Sequence, residues 1–174
     1  ITATNASWIP CSISGIPGYP VENISITDVL VSLKQPGEFK GNFKDVPENE
    51  GGYPEKKMFG PLPSYGFFIR HAKNIHLENI TLLADTAEKR PAIVLSDVSQ
   101  SRFKGIYTAG YTFLPLAIEV LDCKALDFTE CRAGNKTSNF INCTNSSGIV
   151  VFNNFLSNIT NLVTGKGVKK GSNY

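Results

Sequence analysis

An apolar pattern recurs about every 25 residues along this chain, and that period limits the folds it can adopt. Pairs of apolar residues three positions apart recur at Ile26/Val29, Leu77/Ile80, Phe103/Ile106, Phe128/Cys131 and Leu156/Ile159. The first members of the later pairs are 26, 25 and 28 residues apart (77 to 103, 103 to 128, 128 to 156). A solenoid of short strands repeats at such lengths, whereas a propeller blade needs about 40 residues.

Two further columns follow the same period. Both columns are counted from the first residue of each apolar pair. Ten residues before it lie Ile16, Phe67, Ile93 and Ile118, and two residues after it lie Asp28, Asn79, Gly105, Glu130 and Asn158. Small polar residues at a fixed offset are typical of corners that need a positive φ. Phe67 and Ile69 alternate with Phe68 and Arg70, while Ile75, Leu77 and Leu82 alternate with His76 and Glu78. A period of two is typical of strands with one buried face. The leucine-rich repeat motif is absent, so the pattern predicts a parallel β-helix.

The organisation that we expect is a single domain of stacked coils. The coils are predicted over residues 1–163, followed by a basic, frayed tail over 164–174. Ile26 and Leu77 are 51 residues apart, and the Pro- and Gly-rich segment between them predicts one long loop insertion at about 34–64 rather than a degenerate coil. A smaller elaboration is predicted at Gly134–Ser147, and a last coil at Ile149–Val163.

Composition excludes several classes of function. The net charge of +2 offers no general attraction for nucleic acid, so no nucleic-acid partner is expected. No apolar run approaches the roughly 20 residues of a membrane span, so no membrane partner is expected either. The four cysteines lack CxxC spacing and only two histidines accompany them, so neither a metal site nor a cofactor is expected. Small buried thiols are favoured over disulfides.

Four phrases resemble bacterial members of glycoside hydrolase family 28, the polygalacturonase and rhamnogalacturonase type of pectin-degrading enzyme. They read SGIPGYPVENISI (14–26), VPENEGGYPE (46–55), MFGPLPSYGFFIRH (58–71) and RPAIVLSDV (90–98). The resemblance runs from about Trp8 to Ile106, more than half of the chain. It implies a right-handed parallel β-helix, an extracellular or periplasmic location, and pectic polysaccharide or oligouronide as substrate.

The resemblance also implies which part of such an enzyme this chain is. Family members share Asn-Thr-Asp, Asp-Asp, Gly-His-Gly and Arg-Ile-Lys motifs, and they hydrolyse with inversion between two carboxyl groups. The Asp-Asp, Gly-His-Gly and Arg-Ile-Lys motifs do not occur in this sequence, although Arg102-Phe103-Lys104 has the spacing of Arg-x-Lys. In the family these motifs precede the matching phrases. We therefore expect the C-terminal part of a hydrolase, truncated on its N-terminal side, inactive alone and partnered by the missing N-terminal coils of the same protein.

Two alternatives stay open at this point. The chain can be a non-catalytic β-helix module that binds polysaccharide or serves as a structural element. A polysaccharide lyase or epimerase is a weaker alternative, because lyases of this shape usually need clustered acids for calcium and the sequence shows no such cluster. The reading frame upstream of Ile1 distinguishes these alternatives from a family 28 enzyme.

Candidate substrate-binding residues are Arg70, His71, Tyr53, Tyr65 and Glu48, and no residue is assigned as catalytic. Arg70 is predicted to point outward, at the position equivalent to Ser96 and Leu121 in later coils. A guanidinium fork suits a uronate carboxylate. The alternative, which we place slightly ahead, is an ion pair with Glu48 or Glu55 of the insertion.

The aromatic residues of and after the insertion have two interpretations. Tyr53, Phe59 and Tyr65 can form a wall against a sugar ring, or they can attach the loop to the coils. Attachment is favoured for Phe59, and sugar contact is expected at Tyr53.

Overall fold

The chain folds as an all-β solenoid of parallel strands. A computed structural model describes residues 1–52, 55, 57–156, 159–165 and 168–173. They form about six turns of a parallel β-solenoid, as the repeat predicted. No α-helix occurs in these described ranges, where the one helical segment is a 3-10 turn at Phe43–Asp45.

Twelve strands build the solenoid. They are β1 (Thr2–Ala6), β2 (Cys11–Ser14), β3 (Val21–Leu33), β4 (Phe67–Ala84), β5 (Ile93–Gly110), β6 (Leu114–Leu121), β7 (Lys124–Thr129), β8 (Arg132–Ala133), β9 (Thr137–Thr144), β10 (Ser147–Phe152), β11 (Asn161–Gly165) and β12 (Val168–Lys170). The long strands β3, β4 and β5 bend at corners and so contribute to more than one face of the solenoid.

Strand pairing divides the solenoid into three faces. The first face contains β2, the beginnings of β4 and β5, then β6, β9 and β11. The second contains the beginning of β3, the middles of β4 and β5, then β7, β10 and β12. The third contains β1, the ends of β3, β4 and β5, then β8 and Phe155. Each face therefore presents one strand segment from each successive turn.

Inward side chains stack in columns that run through the turns. On the first face the column contains Phe67, Ile93, Ile118, Ile141 and Val163. On the second face it contains Ile26, Leu77, Phe103, Phe128 and Val151. The rings of Phe103 and Phe128 stack with centroids 4.9 Å apart. Burying a large apolar side chain stabilises the fold by about 1.5–3 kcal/mol, so these columns form the main core.

Two predicted column members are wrong. Cys11, and not Ile16, is the register partner of Phe67, while Ile16 lies in a turn with 36% of its surface exposed. Val151, and not Leu156, is the register partner of Phe128, so this turn has 23 residues (128 to 151). The predicted elaboration at Gly134–Ser147 is also wrong, because most of it is the first-face strand β9. Apolar residues beside a corner can have the same spacing in sequence as the inward column. Only the strand pairing shows which residues belong to the column.

The corner column has the predicted backbone conformation. Positive φ angles of 58°, 54°, 62° and 56° occur at Asp28, Asn79, Gly105 and Glu130. Asn158 is outside the described residues, and the next register-equivalent residue is Asn153, with φ of 57°. Asn79 Nδ2 donates to Asp28 Oδ1 over 2.5 Å, so neighbouring corners are also joined through their side chains.

The segment at 34–64 is a loop insertion, as predicted. Ile26 of β3 pairs directly with Leu77 of β4, which leaves no coil between them. The loop lies over the outward side of the first face. There it forms a second apolar cluster, whose buried members are Val46, Leu62, Phe68, Val94 and Leu121. The loop is thus packed onto the solenoid.

The end of the chain and the cysteines differ in part from expectation. Val168–Lys170, predicted as part of a frayed tail, forms β12 and pairs with Ile149–Val151 of β10. All four cysteines are free; Cys123, Cys131 and Cys143 are buried, whereas Cys11 is exposed. Burial raises the pKa of Cys123 to about 12, which makes it an unreactive thiol. In the described part of the chain, no helix is long and apolar enough to cross a membrane.

We expect Phe128→Ala to lower the free energy of unfolding by about 3–5 kcal/mol, because it removes a stacked ring and leaves a cavity. Phe152→Ala is the matched control, since Phe152 is 47% exposed. Urea denaturation of both variants checks this. Equal losses for the two variants would contradict the assignment of the stack to the main core.

Candidate functional site

Arg70 fixes the loop to the first face. Its side chain is 4% exposed. Nη1 donates to the carbonyl of Val46 at 2.8 Å and lies 3.2 Å from Glu48 Oε1, and Nη2 donates to the carbonyl of Pro47 at 3.1 Å. The ion pair with Glu48 is therefore present, as the favoured alternative predicted. These loop contacts use the guanidinium donors of Arg70 that were expected to bind a uronate carboxylate.

Two aromatic rings enclose the Arg70 guanidinium. The ring centroid of Phe59 lies 5.0 Å from Cζ, and that of Phe68 lies 5.5 Å away. Burial lowers the pKa of Arg70, and the charge of Glu48 opposes this effect. An arginine remains protonated in such a site, so the group is a permanent buried cation. Phe59 serves to attach the loop, as predicted.

His71 bridges the loop to the next turn of the solenoid. Its Nδ1 is 2.7 Å from Asp97 Oδ2, and its Nε2 is 3.2 Å from both carboxylate oxygens of Glu48. The backbone of His71 has φ of 46°, so it occupies a corner. A doubly protonated imidazole donates to both acids at once, whereas the neutral ring donates to only one. The arrangement therefore links the position of Glu48 to that of Asp97.

His71 lies at a second corner of the solenoid, between the first and second faces, and this corner continues through Asp97, Asp122 and Asn145 on successive turns. Lys44 Nζ of the loop lies 2.6 Å from Asp122 Oδ2, and Asn145 Nδ2 donates to Asp122 Oδ1 over 2.5 Å. The hydrogen bond from Lys44, then that from Asn145, holds the pKa of Asp122 below its usual range. Loop and corner are therefore joined at a second point.

We call Glu48, Arg70, His71, Asp97, Asp122 and Lys44 the loop-edge cluster. It combines three carboxylates with a guanidinium, an ammonium and an imidazole, so most of its charge is balanced internally. Asp97 remains 63% exposed and Glu48 38% exposed. Exposed carboxylates accept hydrogen bonds from hydroxyl groups, so the cluster offers hydrogen-bond acceptors at the margin of the loop.

Asp97, Asp122 and Lys44 were not predicted as site residues. The aspartates appear isolated in sequence, but each directly follows Ser96 or Leu121, the predicted equivalents of Arg70. That register was enough to place both in the column of His71. Lys44 had no comparable signal, because the loop has no period.

The two candidate tyrosines have different outcomes. Tyr65 is 1% exposed, and its hydroxyl donates to the carbonyl of Leu82 over 3.2 Å. Its predicted contact with a sugar is corrected here, because no ring surface is available for stacking and the ring belongs to the core. Burial raises the pKa of Tyr65, with a smaller contribution from Glu88. Tyr53 lies outside the described residues.

A second buried ion pair, which the sequence did not reveal, clamps the same loop. Arg90 Nε and Nη2 reach the two carboxylate oxygens of Glu88 at 3.0 and 2.8 Å. Arg90 Nη1 also donates to the carbonyls of Trp8 and Leu62, and Glu88 accepts from the amide of Gly37. Burial alone would raise the pKa of Glu88, but the hydrogen bonds from Arg90 lower it on balance.

Glu119 is a buried acid that forms no ion pair with any residue that the structure describes. It lies on the outward side of the first face, 2% exposed, and both its oxygens accept from Asn142 Nδ2 at 2.8 and 3.0 Å. Burial raises the pKa of Glu119 to about 7, and the hydrogen bond from Asn142 only partly offsets this. The side chain is thus partly protonated near neutral pH.

No family model, curated protein or solved structure matches this chain. The resemblance to family 28 therefore depends on the four sequence phrases. The fold and the loop contacts are properties of this chain's own structure.

Arg70→Ala is expected to destabilise the protein by about 3 kcal/mol, because it removes the donor to the buried Val46 carbonyl and to the Pro47 carbonyl and breaks the ion pair with Glu48. Thermal melting and limited proteolysis of residues 34–64 measure this. Arg70→Lys is the matched control: it keeps the charge but loses the fork, so an intermediate effect is expected. An unchanged melting temperature and unchanged cleavage for Arg70→Ala would contradict the clamp.

Glu119→Gln is expected to stabilise the protein at pH 8 by on the order of 2 kcal/mol and to have little effect at pH 4. The folded-state pKa is raised, so the folded protein binds more protons than the unfolded chain. Stability is therefore lost as pH rises from the ordinary carboxyl range through about 7. Melting temperatures from pH 4 to 8 measure this. A difference that does not vary with pH would contradict it.

Proposed function

We propose that this chain is the C-terminal β-helix region of a pectin-directed glycoside hydrolase of the family 28 type. In this proposal the loop at 34–64 walls one side of the substrate cleft. Hydrolysis belongs to coils that precede this region, and the chain contributes binding and shape.

The observation that carries the proposal is that three of the resembling phrases meet at one place. The phrase at 46–55 supplies the Val46 and Pro47 carbonyls, and the phrase at 58–71 supplies the Arg70 guanidinium that binds them. The phrase at 90–98 supplies Val94 to the cluster beneath the loop. Residues separated in sequence thus serve a single purpose, which is to hold the loop on the first face. A loop held this firmly suits a cleft wall.

The chemistry of the loop edge supports binding more than bond cleavage. Inverting hydrolysis needs one carboxylic acid to protonate the leaving oxygen and a second group to activate water. Among the loop-edge acids, Glu48 contacts Arg70 and His71, and Asp122 contacts Lys44. Asp97 contacts His71 but remains largely exposed. We therefore assign hydroxyl recognition, and not proton transfer, to Asp97.

A reducing-sugar assay on polygalacturonate tests the proposal. The 174-residue chain is expected to release no sugar, and the longer reading frame that we propose contains it is expected to be active. Turnover by the short chain would overturn the division of roles. An upstream sequence without acid-bearing coils would favour the non-catalytic module instead.

Variants of the longer protein then test the loop edge. Asp97→Ala is expected to raise KM by about tenfold with little change in kcat, because it removes hydrogen bonds made equally in the ground and transition states. Asp127→Ala is the matched control, since Asp127 is an exposed aspartate on the second face. Equal KM values for the two variants would contradict the assignment of Asp97 to substrate binding.

A further inference from the structure

The third face carries an open groove, far along the chain from the loop. Its volume is about 480 Å³, and its lining includes Tyr107, Arg132, Lys136 and Phe155. Tyr107, Arg132 and Phe155 are register partners on three successive turns. Neighbouring strands lie about 4.8 Å apart, so ring, guanidinium and ring form a row about 10 Å long.

Arg132 differs from the other three arginines in having no acidic partner among the residues that the structure describes. Of the four arginines, Arg70, Arg90 and Arg102 each lie within 4.0 Å of a carboxylate. Among the described residues, none forms an ion pair with Arg132 or accepts a hydrogen bond from its side chain. The Arg132 guanidinium instead lies 4.8 Å from the ring centroid of Phe155, on an exposed surface. Its five donors are therefore free for a ligand.

A second cation lies on a second ring beside this row. Lys136 Nζ is 5.3 Å from the ring centroid of Tyr111 and 2.6 Å from its carbonyl oxygen. Tyr111 is 71% exposed, and Tyr107 and Phe155 are 38% and 44% exposed. Among the described residues that line the groove, none is acidic. The groove therefore combines flat apolar rings with uncompensated positive charge.

We propose that this groove binds a short acidic oligosaccharide. The exposed ring of Tyr107 offers a flat surface to the apolar face of a sugar ring, and the Arg132 guanidinium matches a uronate carboxylate in a bidentate geometry. A nucleic-acid site of ordinary affinity neutralises about 6–10 phosphates, whereas this groove has two cations. The class of ligand depends on the groove alone. Its identification as oligogalacturonate rests on the proposed function.

Binding titrations on the 174-residue chain test the groove. Oligogalacturonate, oligomannuronate and neutral maltotriose are titrated at low and raised salt against the unchanged chain, Arg132→Ala and Arg102→Ala. We expect oligogalacturonate to bind, with its affinity reduced about tenfold by Arg132→Ala and also reduced by salt. Arg102→Ala is the matched control, because Arg102 is an exposed arginine on another face, and it should leave the affinity unchanged.

Each result has a distinct meaning. The proposed binding site would be contradicted if neither acidic saccharide binds or if maltotriose binds equally well. It would also be contradicted if Arg132→Ala and Arg102→Ala change the affinity equally. Binding of oligomannuronate alone, reduced by Arg132→Ala, would support the groove while contradicting the pectic assignment. Stronger binding by single-stranded DNA in competition would replace the saccharide with nucleic acid and overturn the proposal. Because Arg132 is exposed, an unchanged melting temperature is expected, and Lys136→Ala provides a second variant of the same groove.

Discussion

The in-register stacking of inward side chains between turns is the contact on which the rest of this structure depends. Leu77, Phe103 and Phe128 lie one above the next because their strands pair in parallel with no slip between turns. A slip of one residue would turn every apolar side chain outward. The corners make this register possible, since residues with positive φ bend the chain at the same place in each turn. The stacked core and the positive-φ corners therefore both maintain the same register between turns.

The same register also determines what faces outward, and this is where chemistry becomes possible. On the first face the loop covers the outward residues and is held by two buried arginines, Arg70 and Arg90. Desolvation cancels much of the attraction within a buried ion pair, but loss of one partner leaves the other buried group unpaired. Here the hydrogen bonds of the two arginines to the Val46 and Leu62 carbonyls hold the loop on the first face. On the third face Tyr107 and Arg132 line an open groove, where the Tyr107 ring and the Arg132 charge are exposed.

Register explains both the successes and the errors of prediction from sequence. The positions of Arg70, Ser96 and Leu121 in one outward column follow from counting residues, and the structure confirms that column. Counting failed at Leu156, because the turn before it is shorter and Val151 has the same apolar character. Counting residues could not predict the ion pair of Glu88 and Arg90. Arg90 also donates to the carbonyls of Trp8 and Leu62, which are far away in sequence.

The sequence by itself determined the solenoid, its corners and the place of the insertion. These features are periodic and local, so the repeat of apolar and small polar residues is sufficient to specify them. Only the tertiary structure decided the path of the loop, the burial of Tyr65 and the assembly of Glu48, His71 and Asp97. Their contacts join segments with no common period, and the balance between desolvation and pairing that places each charge depends on the folded surroundings.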